Sequence, residues 1–255
     1  MAVIGLCSAS GSPGVTTTAL GLAIGWPRPV LVVEADPTGG SAILAGYLRG
    51  HVEPGPDLVD LALSPTGMAD ALAQVVRPIS GTSASYVAGP RTHRQAAALR
   101  DHWAALAVVL ANLEETGQDV LIDAGRLGLV GSPEPLLAAA DITLLVVRTD
   151  LPSISAARSW AETVTQPGVG WRRGGLVLVG EGQPYTAREL TRVLGLPVVA
   201  ELVDDPVAAS VFHRGSPRPR RFESGGYIRA LGATIEALQA EINRSRQELA
   251  EEADR

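Results

Sequence analysis

"SASGSPGVTTTALGLA", residues 8–23, follows an uncharged apolar run, Ala2 to Cys7, and opens a stretch of helical pattern. The passage runs from strand-like residues through small ones to Thr16, Thr17 and Thr18, then into an apolar helix. In an α/β chain such a junction aims backbone N–H groups and the positive end of a helix dipole at one spot, which makes an anion site. Glycine lets the backbone approach a phosphate closely, and a threonine at the helix start can place its hydroxyl on Mg²⁺. Gly11, Ser12, Gly14, Val15, Thr16 and Thr17 are therefore the candidate anion-binding residues, and Thr16 is the candidate metal ligand. The same residues also fit a plain tight turn and helix start.

Composition narrows the chemistry. The chain has 255 residues, 46% hydrophobic and 19% charged, which reads as globular rather than disordered. A net charge of −6 argues against nucleic acid as the main partner, although a local basic patch can override it. All 21 Lys+Arg residues are arginines, so any mechanism that needs a lysine ammonium from this chain is excluded. The lone Cys7 lies in an expected strand and reads as a small core residue. The first 27 residues carry no side-chain charge, yet no basic start precedes them and Gly11, Pro13 and Gly14 interrupt the apolar run. The expectation is a cytoplasmic protein without membrane insertion.

Further along, apolar runs alternate with helical patterns. Strands are expected at 3–8, 29–34, 84–88, 119–123, 142–147, 175–179 and 197–201, most of them continuously apolar, as strands buried on both faces of a parallel sheet are. Helices are expected at 15–25, 67–77, 92–116, 133–139, 153–164, 186–194 and 226–250. This order predicts an α/β fold, a mostly parallel, doubly wound sheet of about seven strands with helices on both faces. A single domain over 1–255 is expected, with a C-terminal helix over 226–250, a frayed tail at 251–255, and surface loops at 49–66 and 213–226. Apolar residues Ile228, Leu231, Ile235, Leu238 and Ile242 give the last helix one face for the domain or for a dimer.

Several of these stretches together resemble the ParA/MinD branch of P-loop ATPases, whose deviant loop reads K-G-G-x-G-K-[ST]. On that pattern Gly11 and Gly14 match glycines, Ser12 replaces one, and Thr16 matches the magnesium-binding residue. Ser10 and Val15 stand where the two lysines belong. "VLVVEADPTGG", 30–40, resembles the second-strand D-x-D-P motif, with Asp36 at the water-orienting carboxylate and Glu34 replacing the first aspartate. "DVLIDAG", 119–125, resembles the Walker B strand, which implies Asp123 as a carboxylate holding magnesium through water. "AADITLLVVRTDLPSISAARSWAETV", 139–164, and the stretch 176–217 follow the family's later elements, with Gly180 and Glu181 near the place of its adenine-contacting asparagine.

The resemblance spans about residues 2–240 and implies weak binding of ATP or ADP with Mg²⁺. Within the family the sequence resembles degenerate TadZ/CpaE-type, actinobacterial MinD-like proteins. Losing one charged or oxyanion-type donor costs about 3–4 kcal/mol in a transition state, so a chain lacking both lysines is not expected to be an efficient ATPase. Arg126, which follows the Walker B strand, or Arg148, at a strand's carboxyl end, could substitute in part. The implied role is a localisation or assembly factor for tight-adherence pilus, secretion or cell-division machinery, with protein partners and a homodimer. The alternative is an active partitioning ATPase that contacts DNA through Arg214, Arg218, Arg220 and Arg221.

Overall fold

The computed structural model describes residues 2–11, 13–113, 117–167 and 170–253. Eight strands form one sheet: β1 (Val3–Ser8), β2 (Val30–Glu34), β3 (Arg77–Pro78), β4 (Ala84–Val87), β5 (Asp119–Arg126), β6 (Ile142–Arg148), β7 (Gly174–Val179) and β8 (Val198–Leu202). They lie in the order β3-β4-β2-β5-β1-β6-β7-β8, and every neighbouring pair is parallel except β3 with β4. The central strands are apolar on both faces because both faces are covered. Along β1, Val3 and Cys7 enter one core while Ile4 and Leu6 enter the other.

Ten α-helices are described: α1 (Val15–Gly25), α2 (Leu58–Ala62), α3 (Met68–Val75), α4 (His93–Ala98), α5 (Trp103–Ala111), α6 (Glu134–Ala139), α7 (Leu151–Thr165), α8 (Ala187–Leu194), α9 (Pro206–Arg214) and α10 (Gly226–Ala253). One face of the sheet carries α1, α9 and α10, through residues such as Leu20, Phe212 and Leu231. The other carries α2, α3 and α5 to α8, through residues such as Leu61, Leu72, Trp103, Leu137, Ala157 and Leu190. Burying a leucine side chain fully stabilises by about 1.5–3 kcal/mol, so the alternation along each strand ties sequence directly to the layered packing. Trp103 shows how a polar atom is accommodated inside: its Nε1–H donates to the Gly131 carbonyl at 2.9 Å.

The expected doubly wound α/β architecture is present, with differences that have physical causes. The eighth strand is the two-residue, antiparallel β3 at the sheet edge, too short to leave a sequence pattern. The stretch 49–66 is not only a surface excursion. It contains α2, whose Leu58 and Leu61 are buried and whose start is closed by reciprocal bonds between Asp57 and Asp60. The single helix expected at 92–116 is broken by a 3₁₀ turn, Leu99–His102, between α4 and α5. The loop expected at 213–226 begins inside α9 and holds a 3₁₀ turn, Phe222–Ser224, whose Phe222 is buried against Phe212. Helix α10 reaches Ala253, beyond the expected end at 250; Asp254 and Arg255 lie outside the described residues.

Candidate functional site

The carboxyl ends of the parallel strands converge on a cleft of about 880 Å³. Its floor begins with β1. Ser8 closes that strand and its hydroxyl donates to the Ser10 carbonyl at 2.9 Å, folding the chain back into the loop. Gly14 then takes φ +103, a left-handed conformation open to glycine, and its carbonyl accepts from Thr18 N–H at 2.8 Å to start α1. Helix α1 carries no acidic residue in its first turn and no side-chain cap at its start, so no side chain of the helix itself offsets its positive end at the cleft.

Gly11, Gly14, Val15, Thr16 and Thr17 all line the cleft; Ser12 lies outside the described residues. A Cβ placed on Gly11 would meet no atom within 4 Å, so the mouth of the loop is open. Val15, at the position where the resemblance expects a lysine, is 6% exposed and packs into the core beneath α1.

The acids come from the neighbouring strands. Asp123 near the end of β5 is buried; the Thr16 side chain hydrogen-bonds to it, and Gly125 N–H donates to its Oδ1 at 3.2 Å. Asp36, just past β2, lines the cleft, and its Oδ1 accepts from both the Thr38 N–H and the Thr38 hydroxyl at 2.8 Å. Gly125 takes φ +58, and a Cβ there would overlap the Asp36 carboxyl group, so this glycine permits the close approach of β5 and the loop after β2. Thr16, Asp36 and Asp123 are thus brought together from three separated segments.

Burial pushes the Asp123 carboxyl up to about 7, the charges of Asp36 and Glu34 push the same way, and the hydrogen bonds from Thr16 and Gly125 oppose them. Glu34, paired in register with Asp123, is also held above the ordinary carboxylate range by burial. Its carboxylate accepts from the Ser41 hydroxyl, from Ile43 N–H at 2.9 Å and from Gly89 N–H at 3.3 Å. Glu34 is therefore a clamp. It ties β2 to the π-helical turn Ile43–Tyr47 and to the end of β4. The sequence reading saw it only as a replaced aspartate.

This donor set suits magnesium carried on a phosphate chain. Every donor is oxygen, the preference of a hard divalent cation, and a nearby cation would relieve the charge crowding around Asp123. Among the described residues no group of three or more His, Cys, Asp or Glu side chains is arranged to hold a metal ion. Phosphate oxygens and water would have to complete the coordination around Thr16.

The far wall was largely missed by sequence reasoning. Asp204 and Asp205, after β8, line the cleft with His213 and Arg214 of α9 and Tyr227 of α10. Arg148 forms an ion pair with Asp204. Burial, with the Asp205 charge, raises the Tyr227 phenol. One signal was available: Asp205-Pro206 is an N-cap followed by proline at N1, and Asp205 does accept from Val207 N–H at 3.1 Å and Ala208 N–H at 3.0 Å. Glu181, by contrast, accepts from Ala187 N–H at 3.2 Å ahead of α8 and is not among the residues lining the cleft. The arginines expected as one patch are divided. Arg214 lines the cleft, Arg218 pairs with Glu223 at 2.5 Å and stacks 5.7 Å from the Phe222 ring, and Arg220 and Arg221 are exposed.

Comparison with known proteins bears on the fold. No family model matches the sequence, and no curated protein matches it. Solved structures do. MinD from Aquifex aeolicus aligns at 16% identity over 94% of this chain and 98% of its own, with a TM-score of 0.73. MinD from Pyrococcus horikoshii, solved with Mg-ADP, aligns at 16% identity over 96% and 98%, also at 0.73. A ParA-family ATPase from Chlorobium tepidum aligns at 17% identity over 93% and 97%, at 0.70. Likeness at these identities is a likeness of architecture: the chain has the fold of the MinD and ParA P-loop ATPases.

Proposed function

We propose that the chain is a degenerate MinD/ParA-like protein that binds Mg-ADP or Mg-ATP weakly, hydrolyses ATP slowly or not at all, and acts through protein partners as a localisation or assembly factor. One domain, 1–255, that can pair with a second copy is part of this reading. The observation that carries it is the joining of Thr16, Asp36 and Asp123 at the start of α1, while Val15 is packed into the core. In the proposed roles the N–H groups of Gly11, Gly14, Val15 and Thr16 bind phosphate oxygens, and the Thr16 hydroxyl and Asp123 hold the cation. Bound magnesium would neutralise charge on the phosphates. Asp36 has its Oδ1 fixed by Thr38, which suits it to orient a water, but a site without lysine lacks charge where it develops during transfer.

The Mg-ADP of the Pyrococcus protein and the MinC:MinD complex from Aquifex aeolicus supply the analogy for ligand and partner class. The arginine segment does not favour a DNA role, because Arg218 is paired and Arg214 faces the cleft. Calorimetric titration with Mg-ATP, Mg-ADP and Mg-GTP, followed by turnover assays on wild type and Asp36→Ala, tests the reading. Saturable binding without appreciable turnover supports it. Absence of binding at millimolar nucleotide, or brisk turnover abolished by Asp36→Ala, contradicts it.

A further inference from the structure

Among the described residues three arginines line the cleft, Arg126, Arg148 and Arg214, in a chain with no lysine. They are not equivalent. Arg148 is committed to the Asp204 carboxylate. Arg214 closes α9 and reaches the cleft from the wall that α9 and α10 build. Arg126 is the last residue of β5 and stands in register with Ser8, the last residue of β1, from which the loop springs. The next residue fixes the same edge: Leu127 N–H donates to the Ser8 carbonyl at 2.8 Å, while the Ser8 hydroxyl turns the loop at Ser10. The backbone of Arg126 is therefore held rigidly beside the loop. Its side chain is exposed and has no ion pair or hydrogen bond among the described residues.

We propose that Arg126 supplies the cation for a ligand's phosphate chain, gripping it from the flank of the loop where no lysine can reach from within. The inference rests on the reading of the cleft as a nucleotide site and adds the residue that holds the phosphates. An arginine cannot replace a point charge inside a tight loop, but from outside it can present two parallel N–H groups to two non-bridging oxygens. A free, desolvation-poor guanidinium at the rim also needs no partner to be broken before it binds. This separates Arg126 from Arg148, which must first give up Asp204. A phosphate-holding residue gives affinity that grows with the number of phosphates and falls with salt.

The test uses the full chain with magnesium and three probes: inorganic tripolyphosphate, ADP and adenosine. Arg126→Gln is compared with wild type, with Arg126→Lys, and with Arg158→Gln, an exposed arginine on α7 that serves as charge control. The expected result is a loss of tenfold or more for tripolyphosphate and ADP in Arg126→Gln, a shallower salt dependence, unchanged adenosine binding, partial rescue in Arg126→Lys and wild-type behaviour in Arg158→Gln. Matching thermal melts show that the exposed substitution leaves the fold intact. Equal affinity of Arg126→Gln and wild type for ADP overturns the assignment while leaving the nucleotide site standing. Failure of wild type itself to bind ADP or tripolyphosphate overturns the nucleotide reading, and this inference with it.

Discussion

Asp123 enters the folded protein with its carboxyl raised from 3.8 to about 7, so folding favours its protonated form. Between those two values the folded state holds a proton that the unfolded chain has released. Stability therefore falls as pH rises through that window, and the penalty is complete above about 7. Asp123→Asn removes a buried charge and keeps the shape. Without nucleotide, the variant should gain about 1–3 kcal/mol over wild type near pH 8 and little near pH 4, read by urea denaturation. The same change at both pH values would show that Asp123 titrates normally. Asp36 and Asp123 were legible in sequence because each comes at the close of an apolar run, Asp36 just past β2 and Asp123 in the second half of β5, on the side of the sheet where ligands gather. Glu34 was legible as a residue but not as a clamp, since its partners Ser41, Ile43 and Gly89 come from two other segments. Asp204, Arg214 and Tyr227 reach the cleft from elements beyond β8, and no local pattern announces that meeting.

Helix α1 is apolar around most of its circumference because it is wedged between the sheet and α10. Its close approach to α10 depends on Gly21: a Cβ there would lie 2.8 Å from Leu231 Cδ1. Gly21→Val should cost about 1–3 kcal/mol by overpacking. Leu231→Ala in the same chain should recover part of that loss, giving a non-additive double-mutant cycle in chemical denaturation. Additive losses would mean that the two residues do not press on each other. Elements of this kind, long and apolar with a clear period, were the easiest to read. Those missed were short. α2 follows a run containing Pro54 and Pro56, and α9 follows two aspartates in a stretch where no helix is expected from the sequence. In both, a side-chain cap rather than hydrophobic periodicity sets the start.

Across the whole molecule, the layered architecture could be anticipated because strands apolar on both faces must lie between two helical layers, and the two cores lie where that alternation puts them. The strand ends of β1, β2, β5, β6, β7 and β8 then contribute to one cleft from opposite sides of the point where the order reverses around β1. Chemistry was harder to read than architecture. The strand-loop-helix junction at the start of α1 follows from the backbone, whereas the proposed phosphate grip depends on which side chains face the cleft. In the proposed reading this cleft still receives a magnesium nucleotide without a lysine. Amide NMR during titration with Mg-ADP tests it most directly, with a chelated sample beside it. Saturable shifts are expected at Gly11, Gly14, Thr16, Asp36 and Arg126, weakening sharply when magnesium is removed. Spectra unchanged at millimolar Mg-ADP, or shifts confined to a surface away from these residues, would contradict it.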